Sequence, residues 1–195
     1  MEKSKCAVVG SGPSILDNLY GEEIDSYDCV IRCNRAVVRG YEKHVGSRTD
    51  KRVLNTHVLS SMVDFNAMLD HYTSEFEKWE SIKISQLIED NEFLYLKDAN
   101  SEGLKNIKKI INNDMAIVPD YVLKYKDKID SLTSGFCAIV IASKEFDEVS
   151  CYGFDFFRQD NHDHYYEKVN KPFSTHQIDI EEDILRKLYN VKFVE

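Results

Sequence analysis

The chain has little of what marks fibrous, disordered or membrane-spanning proteins. Its 195 residues hold three prolines, eight glycines and one tryptophan, too few punctuating residues for a collagenous or low-complexity chain. No apolar run approaches the roughly 20 residues of a membrane span. Positive charge is in deficit: 25 Lys and Arg stand against 34 Asp and Glu, a formal net charge of −9. That balance excludes a broad nucleic-acid footprint, because nothing could neutralise a run of phosphates, and any phosphate must be held locally. The five cysteines are odd in number and lie within or beside apolar runs, as buried free thiols do. Cys29 and Cys33 have no second close pair and no neighbouring histidine, so a zinc site is not expected.

What is present is a 43% hydrophobic, 30% charged composition, enough for one globular domain over residues 1–195. Met1 is followed by a charged stretch that reaches an apolar run at Cys6, leaving no room for a signal peptide. The stretch from Cys6 to Asn34 organises the rest. Cys6–Val9 is a continuous apolar run, the pattern of a strand buried on both faces of a parallel sheet. It stops at Gly10-Ser11-Gly12-Pro13-Ser14, where glycines let the backbone turn tightly beside a phosphate or sugar. A turn with no ligand is the alternative, since Ile15 replaces the third glycine of a dinucleotide fingerprint and no Gly-Lys-Ser/Thr follows. A second run, Cys29–Ile31, ends in Arg32-Cys33-Asn34, so polar side chains emerge at a strand's carboxyl end, the edge along which open α/β sheets bind ligands.

Further along, residues 40–50 read as a surface loop, Arg52–Thr56 as a strand, and Ser60–Trp79 as an amphipathic helix. Ile82–Ile84 and Phe93–Leu96 read as short strands. Asn100 or Ser101 caps a helix through Ile111. Met115–Val118 is another short apolar run, and Tyr121–Ile129 a second amphipathic segment. Thr133-Ser134-Gly135 precedes a small-residue-rich apolar helix, Phe136–Ser143, whose amino end is a second place for a ligand, with a plain cap as the alternative. Val149–Tyr152 reads as a buried strand, residues from about Thr175 to Tyr189 as a helix, and Val191–Val194 as a closing strand. The alternation predicts an α/β fold with a largely parallel sheet flanked by helices.

Four blocks in order carry a resemblance to the eukaryotic-type sialyltransferases, glycosyltransferase family 29. The stretch through Thr49, with CAVVG, VIRCN and GYE-x-x-VGSRT, resembles that family's long motif. Leu132–Phe154 is similar to its short motif, His164-Tyr165-Tyr166-Glu167 to its third motif, and His176-x-x-x-x-Glu181 to its very short motif. The GSGPS turn itself looks like the version used by a second, bacterial sialyltransferase family. The resemblance implies a single Rossmann-like domain of the GT-A-variant kind and an inverting, metal-independent transfer without cofactor. The donor is then CMP-sialic acid or a related CMP-sugar as substrate, and the acceptor a glycan or glycolipid. By the same resemblance Ser11, Gly12, Ser14 and Asn34 face the nucleotide and phosphate. Thr133, Ser134 and Gly135 hold the cytidine or ribose and the donor carboxylate. His164 with Tyr165 or Tyr166 contacts the departing phosphate, and His176 is the general base. A neutral imidazole can take the acceptor hydroxyl's proton as attack proceeds. Glu181 is expected to anchor a helix or neighbouring loop. Two other readings stand beside this one: a transferase for another CMP-linked keto-sugar acid such as Kdo, and a catalytically weak nucleotide-sugar-binding module.

Two positions depart from the family pattern. Ser11 stands where the family has Asn. The family's disulfide joins the Cys6 position to one occupied here by Phe146, so that bridge cannot form. With no signal or anchor at Met1, these features give the expectation of a cytoplasmic protein, a luminal enzyme trimmed of its anchor being the alternative. Acceptor linkage and oligomeric state are left open.

Overall fold

The computed structural model describes residues 3–56, 58, 88–109, 111–156, 164–167 and 176–194. The helix expected at Ser60–Trp79 and the strand at Ile82–Ile84 lie outside these.

Strand β1 (Lys5–Val9) leads through a 3₁₀ turn (Pro13–Asp17) and helix α1 (Gly21–Asp25) to β2 (Cys29–Cys33). Helix α2 (Glu42–Val45), β3 (Lys51–Asn55), β4 (Phe93–Lys97), α3 (Ser101–Ile107) and β5 (Met115–Ile117) follow. Helix α4 (Asp120–Leu123) runs into a 3₁₀ turn (Lys124–Asp127), and α5 (Ser134–Glu145), β6 (Glu148–Tyr152), α6 (Ile178–Leu185) and β7 (Val191–Phe193) complete the chain. The seven strands form one sheet in the order β5-β4-β3-β2-β1-β6-β7, and every pairing is parallel. This is the predicted α/β class, a parallel sheet flanked by helices. The chain winds outward from β1 to β5, then returns to the other side of β1 as β6. The β1–β6 border is therefore the switch point where such sheets open a crevice at their carboxyl edge.

Both faces of the central sheet are buried, which is why Cys6–Val9 and Cys29–Ile31 read as unbroken apolar runs rather than alternations. Cys6, Val8, Cys29 and Ile31 pack on one face with α5, while Ala7, Val9 and Val30 pack on the other with Ile24 and Val45. Helix α5 is buried along its whole length from Phe136 to Ser143, and Ala138 and Ala142 let it lie close to the strands. Its cap is Thr133, whose Oγ1 accepts from the Phe136 N–H at 2.9 Å. All five cysteines are free and buried, as expected, and burial pushes the Cys33 and Cys137 thiols up to about 12.

Two segments differ from the sequence expectations. Residues 40–50 are not simply surface loop: Val45 and Thr49 are buried, and the carbonyls of Val45, Gly46 and Arg48 with the Thr49 hydroxyl accept from the Arg32 guanidinium. Arg32 therefore turns away from the crevice. The last helix starts at Ile178 rather than near Thr175.

Candidate active site

The glycine turn is held by β6 as much as by its own strand. The Gly10 and Gly12 N–H groups donate to the carbonyls of Tyr152 and Gly153, each at 2.8 Å. A Cβ on Gly10 would stand 2.5 Å from the Gly153 oxygen, and one on Gly12 2.5 Å from Asp155 Oδ2. Glycine is required here for close approach of the β6 exit. The Asp155 carboxylate also takes the Ser14 N–H at 3.1 Å and the Ser14 hydroxyl.

Asn34, one residue past β2, has a φ of 48°, in the left-handed region that Asn tolerates better than most residues. A buried ion pair fixes it there. Arg52 donates to both oxygens of Glu92, at 2.7 and 3.1 Å, with both side chains 1% exposed, and its Nη1 donates to the Asn34 carbonyl at 2.9 Å. The Asn34 amide has a defined orientation: Oδ1 accepts from the Asn55 N–H at 3.1 Å and from the Ser134 hydroxyl at 3.0 Å. A backbone N–H can only donate, so the amide nitrogen is the end turned into the cleft.

The opposite wall is the start of α5. Glu181, 3% exposed, accepts from the Thr133 N–H at 2.7 Å and from the Thr133 hydroxyl at 2.6 Å. It anchors that helix start, as expected of it. Burial raises the Glu181 carboxyl above its ordinary value, and the Thr133 bonds, His176 and Lys97 only partly offset this. His176 gives Nδ1–H to the Ser131 carbonyl at 3.1 Å. A carbonyl only accepts, so Nδ1 holds the proton and Nε2 carries the lone pair in the neutral ring. His164 likewise has Nδ1 engaged, 2.9 Å from Glu167 Oε1, and its ring stacks on Tyr166 with centroids 5.1 Å apart.

Between these elements lies a cavity of about 260 Å³ at the carboxyl edge of the sheet. Of the residues singled out from sequence, it brings together Ser11, Gly12, Asn34, Thr133, Ser134, Gly135, His164, Tyr166 and His176. Ser14 and Tyr165 are not on its wall: the Ser14 hydroxyl is engaged by Asp155, and the Tyr165 hydroxyl donates to the Val37 carbonyl. Ser11 is linked to the third block twice. Its carbonyl accepts the Tyr165 N–H at 2.9 Å, and its side chain hydrogen-bonds Tyr166. Arg35, Asn55, Lys97 and Asp155 also line the cavity and were not anticipated. Each ends or follows a parallel strand, a position from which all of them could have been picked out.

The sequence profile of glycosyltransferase family 29 (sialyltransferase) matches residues 2–193. The chain belongs to that family. Beta-galactoside alpha-2,6-sialyltransferase 2 of Bos taurus is 52% identical over 56 residues, 29% of this chain and 11% of that protein. CMP-N-acetylneuraminate-beta-galactosamide-alpha-2,3-sialyltransferase 1 of Gallus gallus is 26% identical over 168 residues, 84% of this chain and 47% of that protein. The chain thus spans about half or less of the curated relatives it matches. Among solved structures, a mammalian sialyltransferase superposes with a TM-score of 0.67 at 20% identity, covering 98% of this chain and 69% of that one. The sialyltransferase CST-II, solved with a trisaccharide acceptor and CMP, gives 0.53 at 17% identity over 97% of this chain and 80% of that one. The fold of this family-29 chain is accordingly the Rossmann-like sheet of sialyltransferases.

Family membership corrects one expectation. The family match and the alpha-2,3-sialyltransferase relatives give the cytoplasmic assignment no support, and it is withdrawn. The physical reason is that the first residue of a chain spanning about half of its relatives says nothing about compartment, and a free Cys6 bears on one disulfide only, not on whether the compartment is oxidising. Among the described residues no helix is long and apolar enough to cross a membrane.

Proposed function

We propose that the chain transfers a sialic acid from CMP to a hydroxyl of a glycan or glycolipid, with inversion and without a metal, His176 serving as general base. The observation that carries this reading is the pair of imidazoles on one cleft. His176 and His164 each have Nδ1 tied to the protein and line the same cavity as the Asn34 amide and the α5 start. A base and an anion-stabilising group on one cleft are what displacement of a phosphate by a hydroxyl requires.

The anomeric carbon's bond to the phosphate oxygen breaks and its electron pair leaves with CMP. The acceptor oxygen bonds to the opposite face of that carbon, and its proton passes to His176 Nε2. The Asn34 amide nitrogen and His164 meet the phosphate, while Ser134 and Gly135 meet the donor carboxylate at the helix start. CMP is a weakly basic leaving group, so hydrogen-bond donors serve where a metal otherwise would.

The test is transfer from CMP-sialic acid to mixed galactoside acceptors by wild type and His176→Ala. Loss of about 10² or more in rate with CMP binding retained fits a general base. Unaltered turnover in the variant sinks the base assignment. Transfer from CMP-Kdo alone would change the donor, and CMP binding without transfer from any donor would make the chain a binding module.

A further inference from the structure

The function proposed above gives His164 to the leaving phosphate and leaves Glu167 without a task. We propose that Glu167 is the positioning residue that holds His164 doubly protonated and aimed at that phosphate, with Arg35 pairing with the same carboxylate; this rests on the functional reading above.

Residues 164–167 close on themselves. The His164 N–H donates to the Glu167 carbonyl at 2.9 Å, and the Glu167 N–H returns to the His164 carbonyl at 3.2 Å, an antiparallel bridge. Residues opposed across such a bridge project to one side, which brings Glu167 Oε1 to 2.9 Å from His164 Nδ1. The same oxygen lies 3.5 Å from Arg35 Nη2. Arg35 follows Asn34 at the exit of β2, and its side chain is 6% exposed, so the cation is part of the cleft wall rather than a mobile surface group. The imidazole's flat face is covered by Tyr166, and the Tyr165 N–H bond to Ser11 ties the turn to the glycine loop. Ring plane, ring nitrogen and loop position are thus each fixed by a separate contact.

The chemistry follows from the proton count. A phosphate oxygen that receives the electron pair of the breaking bond accepts hydrogen bonds, so His164 serves it only by donating Nε2–H. Nδ1 faces a carboxylate, which also accepts. The ring that satisfies both neighbours carries both protons, and Glu167 is its counter-ion, making the bond charge-assisted. The other charged or titratable groups around this turn are Arg35 from β2, Arg32 and Arg52 acting on Tyr165 and Tyr166 from the sheet, and Tyr41 against Tyr165. Glu167 is the carboxylate in hydrogen-bond contact with the ring, and Asp155 lines the same cavity while held by Ser14.

The test compares wild type with Glu167→Gln, which preserves shape and an accepting oxygen but not the charge. Glu167→Ala is the second variant. Two readouts are taken: kcat against KM for the CMP donor, and ring ¹⁵N shifts of His164 in the complex with CMP, which need no turnover. Expected are a fall in kcat of about tenfold or more in E167Q, a donor KM within about twofold, and loss of the doubly protonated ring signature seen in wild type. An unchanged kcat and unchanged ring signature overturn the assignment. So does a loss of CMP affinity and thermal stability with the ring signature intact, which describes a merely structural carboxylate. If wild type transfers nothing, the functional reading fails on that arm, and the ring signature in the CMP complex still decides Glu167.

Discussion

Asn34→Asp isolates one functional contact from the fold around it. The variant keeps Oδ1, so the bonds from the Asn55 N–H and the Ser134 hydroxyl survive, and Asp tolerates the left-handed backbone nearly as well as Asn. The change in unfolding free energy is therefore expected to stay below about 1 kcal/mol. What disappears is the amide donor facing the cleft. A hydrogen bond to a charged group is worth about 1.5–3 kcal/mol, or roughly 10- to 150-fold in affinity. A new carboxylate near the CMP phosphate adds repulsion, up to about 4 kcal/mol for unit charges 4 Å apart at an effective dielectric of 20, less in a wet cleft. Titration calorimetry with CMP should then show a loss of about a hundredfold or more, beside a nearly unchanged urea midpoint. A CMP affinity within twofold of wild type refutes the placement of the phosphate at Asn34. A large stability loss instead refutes the amide orientation, because it would mean that the nitrogen, not Oδ1, bonds within the fold.

Glu92→Ala strands the Arg52 guanidinium in the core, and urea unfolding should show about 3–5 kcal/mol of destabilisation; less than about 1 kcal/mol would mean the pair is not sequestered. The double change Arg52→Met with Glu92→Leu should restore most of that stability yet weaken CMP binding, because the Asn34 carbonyl loses its clamp. Thr133→Ala removes the α5 cap and the hydroxyl held by Glu181, for an expected cost of about 1–2 kcal/mol by thermal unfolding. Acid sensitivity should track Asp25. Burial favours its protonated form, but the N–H groups of Ser47 and Arg48 and the Ser47 hydroxyl outweigh this and hold its carboxyl below the usual range. Its stabilisation is present above the unfolded carboxyl's pKa and is lost as pH falls through the lowered folded value. The stability gap between wild type and Asp25→Asn, followed by urea midpoints, should therefore narrow as pH falls below about 5 and keep narrowing below the ordinary carboxyl value of about 3.9; a constant gap refutes the assignment.

Much of the architecture is legible in the chain because its strands are buried on both faces. Cys6–Val9 and Cys29–Ile31 are continuous apolar runs, Val149–Tyr152 is apolar but for Ser150, and the parallel sheet follows from helices falling between them. Buried arginines are not legible in that way. Arg32 and Arg52 look like ordinary surface charges until the loop carbonyls over Arg32 and the distant Glu92 come into place, and those partners lie 13 and 40 residues away. At the site, neighbours in sequence divide between cleft and core. Ser11 and Tyr166 line the cavity, while Ser14, three residues on, and Tyr165, the adjacent residue, bond to Asp155 and Val37. A turn changes direction within two or three residues, so motif membership alone does not tell which side chain meets a ligand. The bond between His164 and Glu167 is short in sequence and was within reach, but it needed the antiparallel bridge to bring those two side chains together.

The claim that the crevice at the β1–β6 switch point holds a CMP-sugar is tested most directly by a crystal structure with a non-transferable CMP-sialic acid analogue. The account predicts the phosphate within hydrogen-bond distance of Asn34 Nδ2 and His164 Nε2, with the sugar carboxylate at the start of α5 and His176 Nε2 open toward the acceptor side. A nucleotide bound elsewhere, or bound with its phosphate turned away from both Asn34 and His164, would contradict it.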